Sequence, residues 1–175
     1  MSSASFEFAF QAVLRHEGGF VDHPLDPGGA TKLGITQRTL ALFRGRAVSV
    51  EDVRGLSAPE ARTIYRRQYW DSVQADELPP GIDLAVFDIA VNSGPGKAAR
   101  LLQRAVGAAM DGVIGPKTIA ATRQENVESL IRELTRARLG FLSRLATWRV
   151  FGRGWKKRVL SVEADALRLF HASSI

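Results

Sequence analysis

His16-Glu17-Gly18-Gly19-Phe20-Val21-Asp22-His23-Pro24-Leu25-Asp26-Pro27-Gly28-Gly29-Ala30-Thr31-Lys32-Leu33-Gly34-Ile35-Thr36 follows directly on an apolar helical repeat formed by Phe6, Phe10, Val13 and Leu14. The spacing of those four residues predicts a first helix that ends near His16 and Glu17, stopped by the glycine pair. Glu17 then stands at a helix C-terminus, where the macrodipole disfavours a negative charge, a setting that suits a proton donor. The loop from Gly18 to Gly34 carries four glycines before Gly34 and two prolines and reads as turns with a short, distorted hairpin. Such a segment buries little and loses much backbone freedom on ordering, so it is expected to position a reacting or binding group.

Helical periodicity continues outward from this loop. A second helix is expected over Ile35–Phe43, entered at Thr36. Ser57-Ala58-Pro59-Glu60 forms a capping box that opens a third, running through about Trp70. The apolar run from Gly81 to Asn92 reads as a central buried helix, broken by Gly94-Pro95-Gly96. Further helices are expected over Ala98–Val106 and from Pro116 to about Gln124. Asn126 caps a long one carrying Val127, Leu130, Ile131, Leu134, Phe141, Leu142, Leu145 and Trp148 on one side, punctuated by Gly152 and Gly154. A last helix carries Trp155, Val159, Val162, Leu167 and Phe170. Without a convincing alternating strand, a repeat or a linker, the reading is one all-α unit.

Composition narrows the function. At 175 residues with 45% hydrophobic and 24% charged content, the chain is an ordinary globular domain. It has no cysteine, which excludes disulfides and thiolate metal sites. The net charge of +6 favours an acidic partner. Arginine is spread over several segments without one dense arm, and no nucleic-acid motif is present, so no nucleic-acid partner is expected. No apolar run reaches the ~20 residues that span a bilayer, and the N-terminus lacks the basic and apolar regions of a secretory signal. The expectation is a monomer made in the cytoplasm, not inserted in a membrane. His16, Asp22 and His23 lack metal-site spacing, and Asp111-Gly112-Val113-Ile114-Gly115-Pro116 lacks that of a calcium loop, so neither metal nor cofactor is expected.

Glycoside hydrolysis needs an acid to protonate the leaving oxygen, and a second group that acts as nucleophile or base or stabilises the cation. Glu17 and Asp26 supply that pair across the loop, with Thr31 placed to orient water. Asp26 is equally an Asx-type turn former ahead of Pro27, and Thr31 a loop hydroxyl bonded to backbone. Phe20 offers an apolar face for a pyranose. Tyr69 and Trp70 are core residues or sugar-stacking ones, and Trp155 and Phe151 divide between core and cleft. Asn92 bonds an N-acetyl group or caps its helix.

Glu17-Gly18-Gly19-Phe20, followed by Asp26-Pro27-Gly28-Gly29-Ala30-Thr31-Lys32-Leu33-Gly34-Ile35-Thr36, closely resembles the signature of the N-acetylmuramidases of glycoside hydrolase family 108. The Glu-Asp-Thr order also resembles phage-type lysozymes. Ile64-Tyr65-Arg66-Arg67-Gln68-Tyr69-Trp70-Asp71 is similar to the family's middle helix. Asp88-Ile89-Ala90-Val91-Asn92-Ser93-Gly94 resembles the start of its peptidoglycan-binding part, and Asp111–Thr118 and Phe151–Arg158 fit later segments. The resemblance implies a lysozyme-like helical bundle with a catalytic lobe over 1–90 and a peptidoglycan-binding lobe over 91–175. It implies Glu17 as general acid, peptidoglycan as partner and cleavage between N-acetylmuramic acid and N-acetylglucosamine. The corresponding cellular role is an endolysin that reaches the wall by holin-type release or dedicated export. The alternatives are a lytic transglycosylase and a non-catalytic wall-binding or secretion-assisting module.

Overall fold

The computed structural model describes residues 2–22 and 29–173, leaving aside the side chains of Ser2 and Ser3. Helix α1 (Ser2–Leu14) is followed by a hairpin of two short strands, β1 (Thr31–Lys32) and β2 (Ile35–Thr36). Helices α2 (Gln37–Arg44), α3 (Val50–Arg54) and α4 (Ala58–Tyr65) come next, and α4 runs into a π-helical turn (Arg66–Trp70) and two short 3-10 turns. Then come α5 (Ile82–Ser93), α6 (Pro95–Ala105), α7 (Pro116–Gln124), α8 (Val127–Leu142) and α9 (Trp148–Ser173). Among the described residues the fold is all-α apart from this hairpin.

The caps follow from the sequence. Thr36, Ser57 and Asn126 each accept a backbone N–H from three residues ahead, closing α2, α4 and α8. The hairpin joins β1 to β2 through Leu33 and Gly34 alone, both at positive φ (53° and 72°), as a two-residue turn matched to strand twist requires.

Helix α5 is the axis of the molecule. Every residue from Ile82 to Ala90 is buried, and α1, α6, α8 and α9 surround it. An aromatic cluster of Phe6, Phe10, Tyr65, Trp70 and Phe87 locks α1 and α4 onto α5, with ring centroids 5.3–6.2 Å apart. Trp70 belongs to this core: it is fully buried, with its indole N–H donating to Asp76 Oδ1 at 2.7 Å. That corrects its candidacy as a sugar platform, because no face of the ring is left for a ligand.

Other departures have local causes. Helix α3 escapes the periodicity because it is only five residues long, yet Ser49 and Asp52 close a complete capping box on it. Helix α6 begins at Pro95, earlier than expected, since proline suits the first helical position. Helix α8 stops at Leu142, and α9 runs straight through Gly152 and Gly154. Gly152 is there for space: a Cβ on it would lie 2.6 Å from the Trp148 ring, which folds over the helix.

Candidate active site

Glu17 sits just past the end of α1, its N–H still bonded to the Leu14 carbonyl at 3.1 Å. Two contacts on α9, about two turns apart, fix this end. Arg15 reaches Asp165 at 2.5 Å, and Glu17 Oε1 accepts from Arg158 Nη1 at 2.7 Å.

On the opposite side stands the hairpin. The Leu33 N–H donates to the Gly18 carbonyl at 3.2 Å, Val21 and Thr31 exchange backbone bonds at 2.7 and 2.8 Å, and Tyr65 Oη donates to the Leu33 carbonyl at 2.8 Å. The turn therefore lies against the acid. A methyl group on Gly34 would stand 2.6 Å from Glu17 Oε2 and 2.5 Å from Tyr65 Oη, so only glycine fits between them. Burial, then the nearby Glu17 charge, push both Tyr65 and Tyr69 upward, which keeps these phenols protonated. A hydrogen bond with the Thr39 side chain opposes that shift at Tyr69.

Behind Glu17 the charges continue inward. Arg158 donates to Asp88 through Nη2 at 2.8 Å and Nε at 3.1 Å, and Asp88 Oδ2 accepts from Arg138 Nη1 at 2.6 Å. Arg138 also reaches Asn92 Oδ1 at 3.3 Å, while its Nε finds no partner among the described residues. Side-chain exposure falls along this relay, from 18% at Glu17 through 11% at Arg158 to 0% at Asp88. Burial works against the Asp88 carboxylate, but the charges of Arg138 and Arg158 outweigh it and hold Asp88 below the usual carboxylate range. The surroundings of Glu17 are thus ionic on one side.

The other candidates divide. Tyr69 faces Glu17. Trp155 and Phe151 lie on α9 one and two turns before Arg158, their ring centroids 5.7 Å apart and Phe151 52% exposed. Asn92 joins the relay through Arg138. Phe20 packs partly against the core with the Arg54 guanidinium 4.5 Å over its ring, so it anchors the loop and is not an open platform. The Thr31 hydroxyl points to the Gly29 carbonyl at 3.4 Å. Asp26 lies outside the described residues. His16 Nε2 meets no partner among the described residues, and burial, then the Arg158 charge, shift the ring downward. Among the described residues no cluster of three or more histidine or carboxylate side chains could hold a metal ion.

Arg158, Asp88, Arg138 and Gly34 were not singled out from the sequence. A signal existed for two of them. Asp88 interrupts the apolar run of α5, and Arg138 falls at helical spacing between Leu134 and Leu142, both buried. Charges on buried faces require partners.

Glu17 thus stands partly exposed between a glycine turn and a buried ionic relay. Residues 10–94 match the glycosyl hydrolase 108 model and residues 97–160 match the predicted peptidoglycan domain. The chain belongs to the glycosyl hydrolase 108 family and is a peptidoglycan hydrolase. The structure of Brucella abortus SagA is 46% identical to it over 99% of both chains, with a TM-score of 0.91. No curated protein matches the sequence.

Proposed function

We propose that this protein is an N-acetylmuramidase, hydrolysing the β-1,4 bond between N-acetylmuramic acid and N-acetylglucosamine with Glu17 as general acid. The observation that carries this reading is the setting of Glu17: a partly exposed carboxyl whose Oε2 has no hydrogen bond among the described residues and borders the hairpin turn. That oxygen is free to meet a glycosidic oxygen, which is what general acid catalysis requires. Asp88, the nearest other carboxylate of the relay, is sealed and paired with two arginines, so it is no nucleophile. Asp26 then stabilises the cationic sugar or activates water, and Thr31 orients that water.

Trp155, Phe151 and Tyr69 supply apolar faces for the saccharide, and Asn92 an amide for its N-acetyl group. The exposed cations Arg149, Arg153, Lys156 and Lys157 on α9 favour an anionic wall. No helix among the described residues is long and apolar enough to cross a membrane. The proposed cellular role is wall lysis of the endolysin kind, after release or export. Digestion of purified peptidoglycan, with the new ends identified by mass, tests the reaction. Reducing N-acetylmuramic ends are expected. Ends in 1,6-anhydro form would instead establish a lytic transglycosylase, with an internal sugar hydroxyl replacing water.

A further inference from the structure

Glu17 is gripped by one carboxylate oxygen only. Arg158 presents a planar fork, and its three donor atoms are divided: Nη2 and Nε go to Asp88, Nη1 to Glu17 Oε1. Asp88 is itself held by Arg138 and has no exposure, so the fork is fixed on its inner side and can aim in one direction. The inner pair also makes the grip durable. Two anions and two cations alternate along the relay, so a proton added to Glu17 leaves Arg158 still bonded to Asp88.

We infer that Arg158 is a positioning residue for Glu17, fixing Oε1 so that Oε2 is the oxygen that carries the proton to the glycosidic bond. This rests on the reading of Glu17 as general acid. It makes the site composite: the acid comes from the region matching the hydrolase model, and its positioning residue from the region matching the peptidoglycan domain. The second region then does more than bind wall; it completes the catalytic centre.

The charged and titratable groups around Glu17 are Arg158 on α9, Asp88 on α5, Arg138 on α8, Tyr65 on α4, Tyr69 on the π turn, and Arg15 and His16 on its own segment. On the hairpin, Lys32 turns away to the Arg54 carbonyl. Of these, Arg158 alone forms an ion pair with Glu17. Removing it takes away the contact that holds Oε1 and frees the acid to rotate.

The test compares Arg158→Gln and Arg158→Lys with wild type and Glu17→Gln, on soluble glycan strands across pH, with melting midpoints recorded. Arg158→Gln leaves the Asp88–Arg138 pair in place and is expected to fold. Its kcat should fall roughly 100-fold, with KM within about twofold of wild type. Arg158→Lys should recover part of the loss, since it keeps the charge without the fork. Unchanged kcat in Arg158→Gln, or a loss confined to KM, would overturn the inference while an inactive Glu17→Gln upheld the general acid. An active Glu17→Gln would sink the general-acid reading itself.

Discussion

The two flanks of Glu17 are built from opposite materials. On the hairpin side the neighbours are uncharged: the Gly34 backbone, a phenol and carbonyl groups, joined by backbone hydrogen bonds and kept close by the missing side chain at Gly34. On the α9 side they are ions, arranged so that each charge meets its opposite and the innermost is shut away from water. The first flank holds uncharged groups close against the acid. The second supplies direction. A sealed ion relay adds little net stability, since desolvation offsets its attraction, but it resists losing any single member.

That asymmetry predicts where substitution hurts most. Asp88→Ala strands Arg138 and Arg158 in the interior and should cost about 3–5 kcal/mol; calorimetry should find the melting midpoint lower by roughly 10 °C. A midpoint within a degree or two of wild type would mean the relay is not what holds this flank together.

Asp83, on the same helix, provides the contrast of a buried acid with no cationic partner among the described residues. It accepts only backbone N–H groups from Gly81 and Leu84 and a side-chain bond from Ser5, and burial pushes it up to about 6. Its folded state therefore binds the proton more tightly than the unfolded chain does, and its contribution to stability falls as pH rises from about 4 to about 6. Asp88 has the opposite sign: its contribution is present above the unfolded value and lost only in stronger acid. Wild type should thus gain about 2 kcal/mol relative to Asp83→Asn on going from pH 7 to pH 4, read from urea midpoints. A flat difference between the two proteins would refute the assignment.

On the hairpin flank the losses should appear in activity before stability. Gly34→Ala forces a methyl group against Glu17 and Tyr65 at a positive φ, and should lower turnover by roughly 100-fold with the helical fold retained by circular dichroism. Tyr65→Phe removes only the bond to the Leu33 carbonyl. It should cost about 1 kcal/mol, the smallest of these effects, measured by chemical denaturation.

The same division decides what was legible in the sequence. The hairpin flank is local: acid, glycine pair and turn lie within one stretch, and the positive φ at Leu33 and Gly34 follows from turn chemistry. Caps at Ser57 and Asn126, and the first-turn proline Pro116, were equally local and marked their helices. The ionic flank joins residues about 70 and 140 positions apart, and no periodicity announces such a pairing. The π turn that carries Tyr69 toward Glu17 and Trp70 into the core was hidden for a similar reason. It depends on Arg66 pairing with Asp71 and Asp76, and on the Trp70 indole finding Asp76. Gly152 and Gly154 misled because glycine reads as a helix breaker, whereas Gly152 makes room for the Trp148 ring.

Both flanks have meaning only if Glu17 delivers the proton. The most direct measurement is the turnover of purified peptidoglycan by wild type and Glu17→Gln at matched concentration, with wall binding followed by co-sedimentation. The amide keeps size and hydrogen-bonding capacity but has no proton to donate, so turnover should fall by about 10²–10⁴-fold while binding is retained. Turnover within a few-fold of wild type would contradict the account and move the catalytic centre elsewhere in the molecule.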